Sequence, residues 1–248
     1  MNTNEKNGGW IRREFAMFSA LIRSVPGTLT VLFAAAVIAM NFLARITILS
    51  LPWLAVNAGI LVSWLAFLLM DIVVKHFGAR AANLLSILAI TANLLCTLVC
   101  VVIGRIWNYP ALDTVVGGQW SILLASTAAY VVSVLTNNYT NVRIGRRFRK
   151  NPDGAAAYAA RSFVSTFLSQ IVDNFLFVFL AFVIFPMIPG ALPVRWTVSQ
   201  CIGASVAGAV LELLTEVIFS PVGFYVLRSW KTRDVGSEYR LRYCIGTN

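Results

Sequence analysis

Four acidic residues lie within stretches of the sequence that are otherwise apolar: Asp71, Asp173, Glu212 and Glu216. A charge at the centre of a bilayer costs at least about 2.5 to 3.5 kcal/mol, so such a residue usually faces a bundle interior or a wet cavity. A carboxylate in that position can accept hydrogen bonds from a ligand or relay protons. Each of the four is therefore a candidate for ligand binding or for energy coupling.

Segment 161–182 gathers further polar side chains around one of these carboxylates. Residues on one helical face recur every three to four positions. Here they are Ser162, Ser165 or Thr166, Ser169 and Asp173. Gln170 and Asn174 lie within one turn of Asp173, which is roughly 18 Å along a helix from Arg161 and hence near mid-membrane. We predict that Asp173 and Gln170 bind a ligand, whereas the serines suit helix–helix hydrogen bonding equally well.

The other polar residues of the apolar runs differ in their expected depth in the membrane and in the helical face on which they lie. Glu212 is about fifteen residues into its run, a depth that allows it to share a cavity with Asp173. Asn41 and Arg45 lie four residues apart on one helical face. The predicted substrate-binding residues are Asp173, Gln170, Asn174, Glu212, Asn41 and Arg45. The predicted structural or coupling residues are Asp71, Lys75, Arg161, Ser165 and Glu216.

The composition is that of a membrane protein. Of the 248 residues, 58% are hydrophobic and 12% are charged, against roughly a quarter charged in an ordinary soluble domain. The net charge of +10 does not indicate nucleic-acid binding, because the Lys and Arg residues are distributed between apolar runs instead of forming one polar surface. The single histidine and the four cysteines lack the spacing of a zinc site, and no nucleotide-binding or catalytic motif occurs. We therefore expect no metal, no cofactor and no enzymatic activity.

Six apolar runs are long enough to cross a bilayer, because about 20 helical residues span roughly 30 Å of hydrocarbon. They are 28–51, 52–74, 81–103, 120–142, 158–185 and 197–227. Only Arg45, Ser50 and Pro52 interrupt the first two runs, which predicts a tight hairpin at their junction. The predicted fold class is an all-α integral membrane protein with a six-helix transmembrane domain over 26–228.

The basic residues predict that both termini are cytoplasmic. Seventeen Lys and Arg residues fall on one side of the alternating spans, and only Arg45, Arg105 and Arg195 fall on the other. Cytoplasmic loops carry such an excess of positive charge.

The two ends of the chain are predicted to lie on the cytoplasmic side of these spans. Residues 1–25 are too polar to span and are predicted to form an interfacial amphipathic helix that contacts membrane lipids. The predicted apolar face consists of Trp10, Phe15, Phe18 and Leu21 or Ile22. Residues 229–248 are predicted to form a cytoplasmic tail.

Four segments follow one another in the order and spacing of a known family. They are "NFLARITI" (41–48), "DIVVKHFGARAA" (71–82), "RSFVSTFLSQIVDNFLF" (161–177) and "LELLTEVIFSPVGFYVLRSWK" (211–231). In these segments the chain resembles the queuosine precursor transporter family, the VUT group. The most specific pattern is Arg-x-x-x-Ser-x-x-x-x-Gln-x-x-Asp in the fifth span, which is matched by Arg161, Ser165, Gln170 and Asp173.

The chain departs from the family pattern at two charged positions. Lys75 stands where the family has Glu, and Glu212 stands where the family has Lys. Reversal of both members keeps the attraction of an ion pair, so the resemblance implies a swapped Lys75–Glu212 pair. The chain is thus a divergent member that carries the same or a related molecule.

The resemblance implies a bundle similar to the substrate-binding S components of energy-coupling-factor importers, in the bacterial inner membrane. It also implies import of a 7-deazaguanine precursor of queuosine for tRNA modification, namely queuine, preQ0 or preQ1. The carboxylate of Asp173 or Glu212 can accept two adjacent ring donors, while Gln170 or Asn174 donates to the ring oxygen. The candidates for the aromatic walls of the site are Phe175, Tyr130, Trp53 and Trp64.

Two alternatives to a self-sufficient importer stay open on the sequence alone. The chain would act as a non-transporting membrane scaffold if its basic cytoplasmic surface bound a partner protein. It would act as a substrate-binding component if a separate module supplied the energy. The sequence leaves the energy source open, and faces of small residues permit a homodimer without requiring one.

Overall fold

A computed structural model describes the chain over residues 3–109, 112, 116–147 and 164–243. Arg161 lies outside these residues, and the structure does not describe the side chains of Ser165, Thr166 and Glu216. The elements are α1 (Thr3–Ser24), α2 (Gly27–Leu43), β1 (Thr47–Ser50), β2 (Ala55–Asn57), α3 (Ile60–Phe77), α4 (Ala79–Ile106), α5 (Gln119–Arg147), α6 (Ser165–Phe179), α7 (Val198–Thr232) and α8 (Ser237–Tyr243). Helix α6 continues into a π-helical turn (Leu180–Ile184) and a 3₁₀ turn (Phe185–Met187).

Within the described residues, five helical segments are long and apolar enough to cross a membrane. They are Ile60–Phe77, Ala79–Ile106, Gln119–Thr136, Phe167–Met187 and Val198–Phe219. A sixth is counted if Arg12–Ser24 and Gly27–Leu43 form one span, although these two helices meet at a bend of 104°. Pro26 stands at the bend, where its missing N–H and its effect on the preceding residue end α1. The chain is thus an all-α membrane protein with five or six candidate spans.

A two-stranded antiparallel sheet separates α2 from α3. The apolar run over 28–51 is helical only to Leu43, and the next helix begins at Ile60. The paired residues between them are Thr47 with Asn57, Leu49 with Val56, and Ser50 with Ala55. β-Branched residues favour extended backbone and Pro52 favours a turn, two local preferences that the hydropathy of the run does not register. The predicted junction is therefore a β-hairpin over 47–57 instead of two helices that meet directly.

The described residues form two compact units. Unit 1 comprises the described residues of 1–38, 64–92 and 216–248, and unit 2 comprises those of 39–63 and 93–215. Helices α2, α3, α4 and α7 contribute a segment to each unit.

Aromatic side chains hold the C-terminal segment within unit 1. His76 Nε2 lies 2.9 Å from the carbonyl oxygen of Val235, and its ring meets Trp230 edge-on with a centroid distance of 5.2 Å. Tyr239 on α8 is buried and meets Phe77 edge-on at 6.1 Å. In the segment predicted to be a tail, the chain therefore folds back through α8 and packs against the end of α3 within unit 1.

Helix α1 in unit 1 has two apolar faces instead of the single face predicted from the sequence. Met17 and Leu21 are buried, whereas Phe15 is 71% exposed and Ile22 is 39% exposed. An α-helix advances about 100° per residue, so Leu21 lies roughly 120° from Phe15, while Ile22 lies almost directly above it. Of the two alternatives, Ile22 therefore lies on the face of Phe15, whereas Leu21 lies on the buried face with Met17.

The core of unit 2 joins α5, α6 and α7 to the hairpin. Phe182 stacks on Trp196 with a centroid distance of 4.1 Å. The Gln200 side-chain amide donates to the Leu51 carbonyl at 2.8 Å. Gly203 on α7 lies against the backbone of Trp53, where a Cβ atom would overlap the Trp53 carbonyl oxygen. The hairpin is therefore fixed to the first turns of α7.

We expect Gly203→Ala to lower the free energy of unfolding by roughly 1 to 3 kcal/mol, because the new methyl group overlaps rigid backbone. The matched control is Gly223→Ala in the same helix, where the nearest atoms, on Ile72 and Leu68, lie 3.7 and 3.8 Å from an added Cβ. The control should retain or raise the melting temperature, since Ala is a better helix former than Gly. Thermal unfolding of the two detergent-solubilised variants gives the change in melting temperature of each. Equal changes in Gly203→Ala and Gly223→Ala would contradict the proposed contact.

Candidate functional site

The α6 segment that carries Asp173 is anchored in unit 2 by aromatic side chains. Phe177 and Phe182 meet edge to face with ring centroids 6.2 Å apart, and both belong to or border the core of the unit. Residues three and four apart share one helical face, so Gln170 lies beside both Asp173 and Asn174. The sequence thus builds a helix in which apolar packing fixes the position of three adjacent polar side chains.

Helix α5 supplies a hydroxyl group to Asp173. Helices α5 and α6 pack along much of their length, and the Ser133 hydroxyl lies within hydrogen-bonding reach of the partly buried Asp173 carboxyl group. The same hydroxyl lies 2.9 Å from the Tyr130 carbonyl oxygen. Its single hydrogen can serve either acceptor, so Ser133 alone does not saturate the carboxyl group.

Helix α7 supplies the second carboxylate, Glu212, which is only 5% exposed. The Asn174 side-chain amide donates to Glu212 Oε2 at 3.2 Å. Gly208 lies one turn before Glu212, and a Cβ atom there would come within 3.1 Å of the Asn174 amide group. The absence of a side chain at residue 208 therefore leaves the space in which Asn174 contacts Glu212.

Asp173 and Glu212 lie close enough for their carboxyl groups to interact electrostatically. Within the described residues, neither carboxyl group has a Lys or Arg partner. Two like charges at a site of low dielectric constant repel each other and favour a bound proton, a cation or a hydrogen-bond donor. The arrangement can therefore accept donors or a positive charge from a ligand.

Buried amide groups without a partner form a second feature of unit 2. Among the described residues, Gln170 Oε1 is buried and accepts no hydrogen bond, and both polar atoms of Asn93 and of Gln119 are buried and unpaired. An unsatisfied buried polar group costs about 1 to 3 kcal/mol, so such groups usually bind water or a ligand. Gln119 is not among the predicted site residues, although it is a polar residue at the start of an apolar run.

The structure brings four of the six predicted substrate-binding residues together: Asp173, Gln170, Asn174 and Glu212. Asn41 is 2% exposed in unit 2, and Arg45 follows the end of α2 in the same unit. Their roles as ligand residues stay predictions.

The predicted coupling residues lie elsewhere or outside the described side chains. Asp71 and Lys75 are four residues apart on α3 in unit 1, and they form an ion pair of 2.6 Å with both side chains partly exposed. Lys75 thus pairs with Asp71, and Glu212 bonds with Asn174. The swapped Lys75–Glu212 pair stays a prediction. The predictions for Arg161, Ser165 and Glu216 concern side chains outside the described part of the structure.

The predicted aromatic wall residues fall in different places. Phe175 stacks on Phe179 at 5.4 Å on the helix that carries Asp173, and Tyr130 lies one turn from Ser133 on α5. Trp53 lies in the hairpin turn and is 62% exposed, whereas Trp64 stacks on Phe219 within unit 1. Of the four predicted wall residues, Phe175 and Tyr130 are therefore the two that lie on helices carrying the polar cluster.

We expect Asn174→Ala to lower the free energy of unfolding by roughly 1 to 3 kcal/mol, because it removes a hydrogen bond to a buried carboxylate. The same substitution should lower the free energy of unfolding by less in a Glu212→Ala background, where no carboxylate remains to accept the hydrogen bond. Thermal unfolding of the four proteins of this double-mutant cycle gives the coupling energy. Identical losses in the two backgrounds would show that the hydrogen bond does not contribute to stability.

Comparison with protein families identifies one match, over residues 57–226, to the family described as "Putative vitamin uptake transporter". This range includes Ser133, α6 and most of α7, and hence every residue of the polar cluster. Neither a curated protein nor a solved structure matches the chain. Because the matched range covers more than half of the sequence, the chain belongs to the VUT family of vitamin uptake transporters, the family that the resemblance indicated.

Proposed function

We propose that this protein imports a small planar nucleobase-like molecule, a 7-deazaguanine precursor of queuosine, across the bacterial inner membrane. The observation that carries the proposal is the cluster of Gln170, Asp173 and Asn174 on α6 with Glu212 on α7, within a chain of a transporter family. Carboxylates within a membrane helix bundle usually mark a substrate or ion pathway. The cluster offers both hydrogen-bond acceptors and donors, which a polar heterocycle requires.

The chemistry of the ring matches that of the cluster. A 7-deazaguanine presents its ring N1–H and exocyclic amine as adjacent donors beside an acceptor oxygen. The two oxygens of one carboxylate accept such a pair of donors, and a side-chain amide donates to the ring oxygen. We assign the donor pair to Asp173 and the ring oxygen to the Gln170 amide, because Asn174 already donates to Glu212.

The topology that we propose for transport places both termini and the basic loop around residue 147 in the cytoplasm. In that orientation the hairpin over 47–57 and the loop before α7 lie on the outer side. We propose an architecture similar to that of the S components of energy-coupling-factor importers. In this proposal Arg161 orients the cytoplasmic side of the site, and Asp71 and Glu216 are the residues assigned to coupling.

We expect Asp173→Asn to abolish precursor uptake, because an amide cannot accept both donors of the ring. The measurement is the queuosine content of tRNA in cells that lack their own uptake route, express this protein and are fed precursor. Asp234→Asn is the matched control, because it makes the same chemical change at an exposed position. Asn tolerates the positive φ of 51° at that position. Normal modification with Asp173→Asn present in the membrane would refute the assignment of Asp173.

Binding without transport is measured by the melting temperature of the purified protein. A ligand that binds only the folded state should add roughly 2.7 kcal/mol of stability at one hundred times its dissociation constant. We expect this gain with 7-deazaguanines and a smaller gain with adenine, whose edge presents the opposite donor and acceptor pattern. A non-transporting scaffold predicts no gain with any of these ligands, and such a result would overturn the proposed function.

A further inference from the structure

The β-hairpin over 47–57 exposes apolar side chains where a hairpin in water exposes polar ones. Ile48, Leu49, Leu51 and Trp53 are between 38% and 62% exposed within the described part of the chain. A sheet with one face in water normally alternates polar residues with apolar residues that face the core. A two-stranded ribbon with these exposed residues would aggregate edge to edge if it lay in water.

The hairpin also lacks charged residues. None occurs in residues 46–70, a range that contains both strands, the turn between them and the first turns of α3. Loops that lie in water are normally polar. The composition of the hairpin therefore matches that of the apolar helices on either side of it.

Side chains of α7 pair with the backbone carbonyl groups of the hairpin turn. Gln200 Nε2 donates to the Leu51 carbonyl oxygen at 2.8 Å, and the Ser199 hydroxyl donates to the Pro52 carbonyl oxygen at 3.1 Å. A turn at a water surface needs no such partners, because water satisfies its carbonyl groups. Where water is scarce, an unpaired backbone group costs several kcal/mol, so the protein must supply the partner. These two hydrogen bonds are the arrangement expected of a turn beside hydrocarbon.

The lengths of the flanking helices give the depth of the hairpin. Helix α2 has 17 residues and α3 has 18, which correspond to about 25 and 27 Å of helix. Both are shorter than the hydrocarbon core of roughly 30 Å, so the segment that joins them lies at the edge of the apolar layer. Within unit 2, the hairpin contacts Gln200 and Gly203, which lie in the first turns of the candidate span Val198–Phe219. The end of that span therefore lies at the same level.

We propose that the hairpin over 47–57 lies in one leaflet of the membrane, at the boundary between acyl chains and headgroups, and that lipid covers its exposed apolar side chains. The amphipathic indole of Trp53 suits this boundary. The open edges of the ribbon reach headgroups and water, because unpaired sheet edges are not tolerated in the hydrocarbon itself. The hairpin is then a membrane anchor for the first turns of α7. In the orientation proposed above, the leaflet is the outer one.

Spin labels in the full-length protein, reconstituted in phosphatidylcholine vesicles, test this placement. The labelled variants are Ile48→Cys and Leu49→Cys. Leu98→Cys, an exposed apolar position in the middle of α4, is the lipid control. Arg233→Cys, roughly 20 Å of chain beyond the candidate span that ends at Phe219, is the water control. The native cysteines are first replaced by alanine: Cys96→Ala, Cys100→Ala, Cys201→Ala and Cys244→Ala.

We expect the labels at 48 and 49 to collide with a water-soluble nickel complex at least about threefold less often than the label at 233, because a segment about 5 to 10 Å below the headgroups excludes such a reagent. Their collisions with oxygen, which concentrates in lipid, should be as frequent as those of the label at 98. Collisions with nickel as frequent as at 233 would place the hairpin in water and overturn the inference. Rare collisions with both reagents would show that protein covers the hairpin, which would also overturn it. Dipolar coupling between labels would then identify that protein as a second copy of the chain.

Trp53→Phe provides a second measurement in a chain that keeps its native cysteines, and it decides if the alanine variants do not fold. Lipids that carry a nitroxide near the headgroup quench the tryptophans that they contact. We expect Trp53→Phe to lower the quenched fraction of the fluorescence. Trp196→Phe, which removes a buried indole and keeps an aromatic ring against Phe182, should raise that fraction. An unchanged fraction in Trp53→Phe would overturn the inference. Neither measurement involves uptake or a ligand, so failure of the proposed function would leave the result intact.

Discussion

A carboxylate buried in a hydrocarbon environment must be given hydrogen-bond donors, and this requirement shapes the packing of α5, α6 and α7 in unit 2. Ser133 approaches Asp173, and the Asn174 amide reaches Glu212. Neither contact saturates its carboxyl group, since each carboxylate has about four acceptor sites. The helices therefore hold the acidic side chains in position while leaving acceptor capacity for something outside the protein, as expected of a transport site.

Small residues are what allow the polar groups to meet. Gly208 gives the Asn174 amide room beside α7, and Gly203 brings the hairpin backbone onto the first turns of the same helix. In a bilayer the association of helices depends on close packing and on polar contacts, because lipid chains are as apolar as the helix surfaces. One helix thus uses two glycines, at different positions along its axis, to fix the hairpin and to position a carboxylate.

The sequence predicted the helical membrane character and the family correctly, because both depend on composition and on motifs that are continuous along the chain. It did not predict the β-hairpin, since the hydropathy of residues 47–57 resembles that of the helices on either side. It did not predict the contact of Gly208 with Asn174, because that contact depends on the tertiary placement of another helix. The unpaired Gln119 was missed because its position at the start of an apolar run does not by itself distinguish a buried amide from an exposed one.

The π-helical turn at Leu180–Ile184 sets the angle between the polar face of α6 and the stacked pair Phe182–Trp196. Since each residue of a helix turns the chain by about 100°, deletion of one residue there would rotate Asp173 by more than a quarter of a turn relative to the core. Selection should therefore remove insertions and deletions in Leu180–Ile184, even where one apolar residue can replace another. The number of residues in the turn, more than their identity, is what selection would preserve.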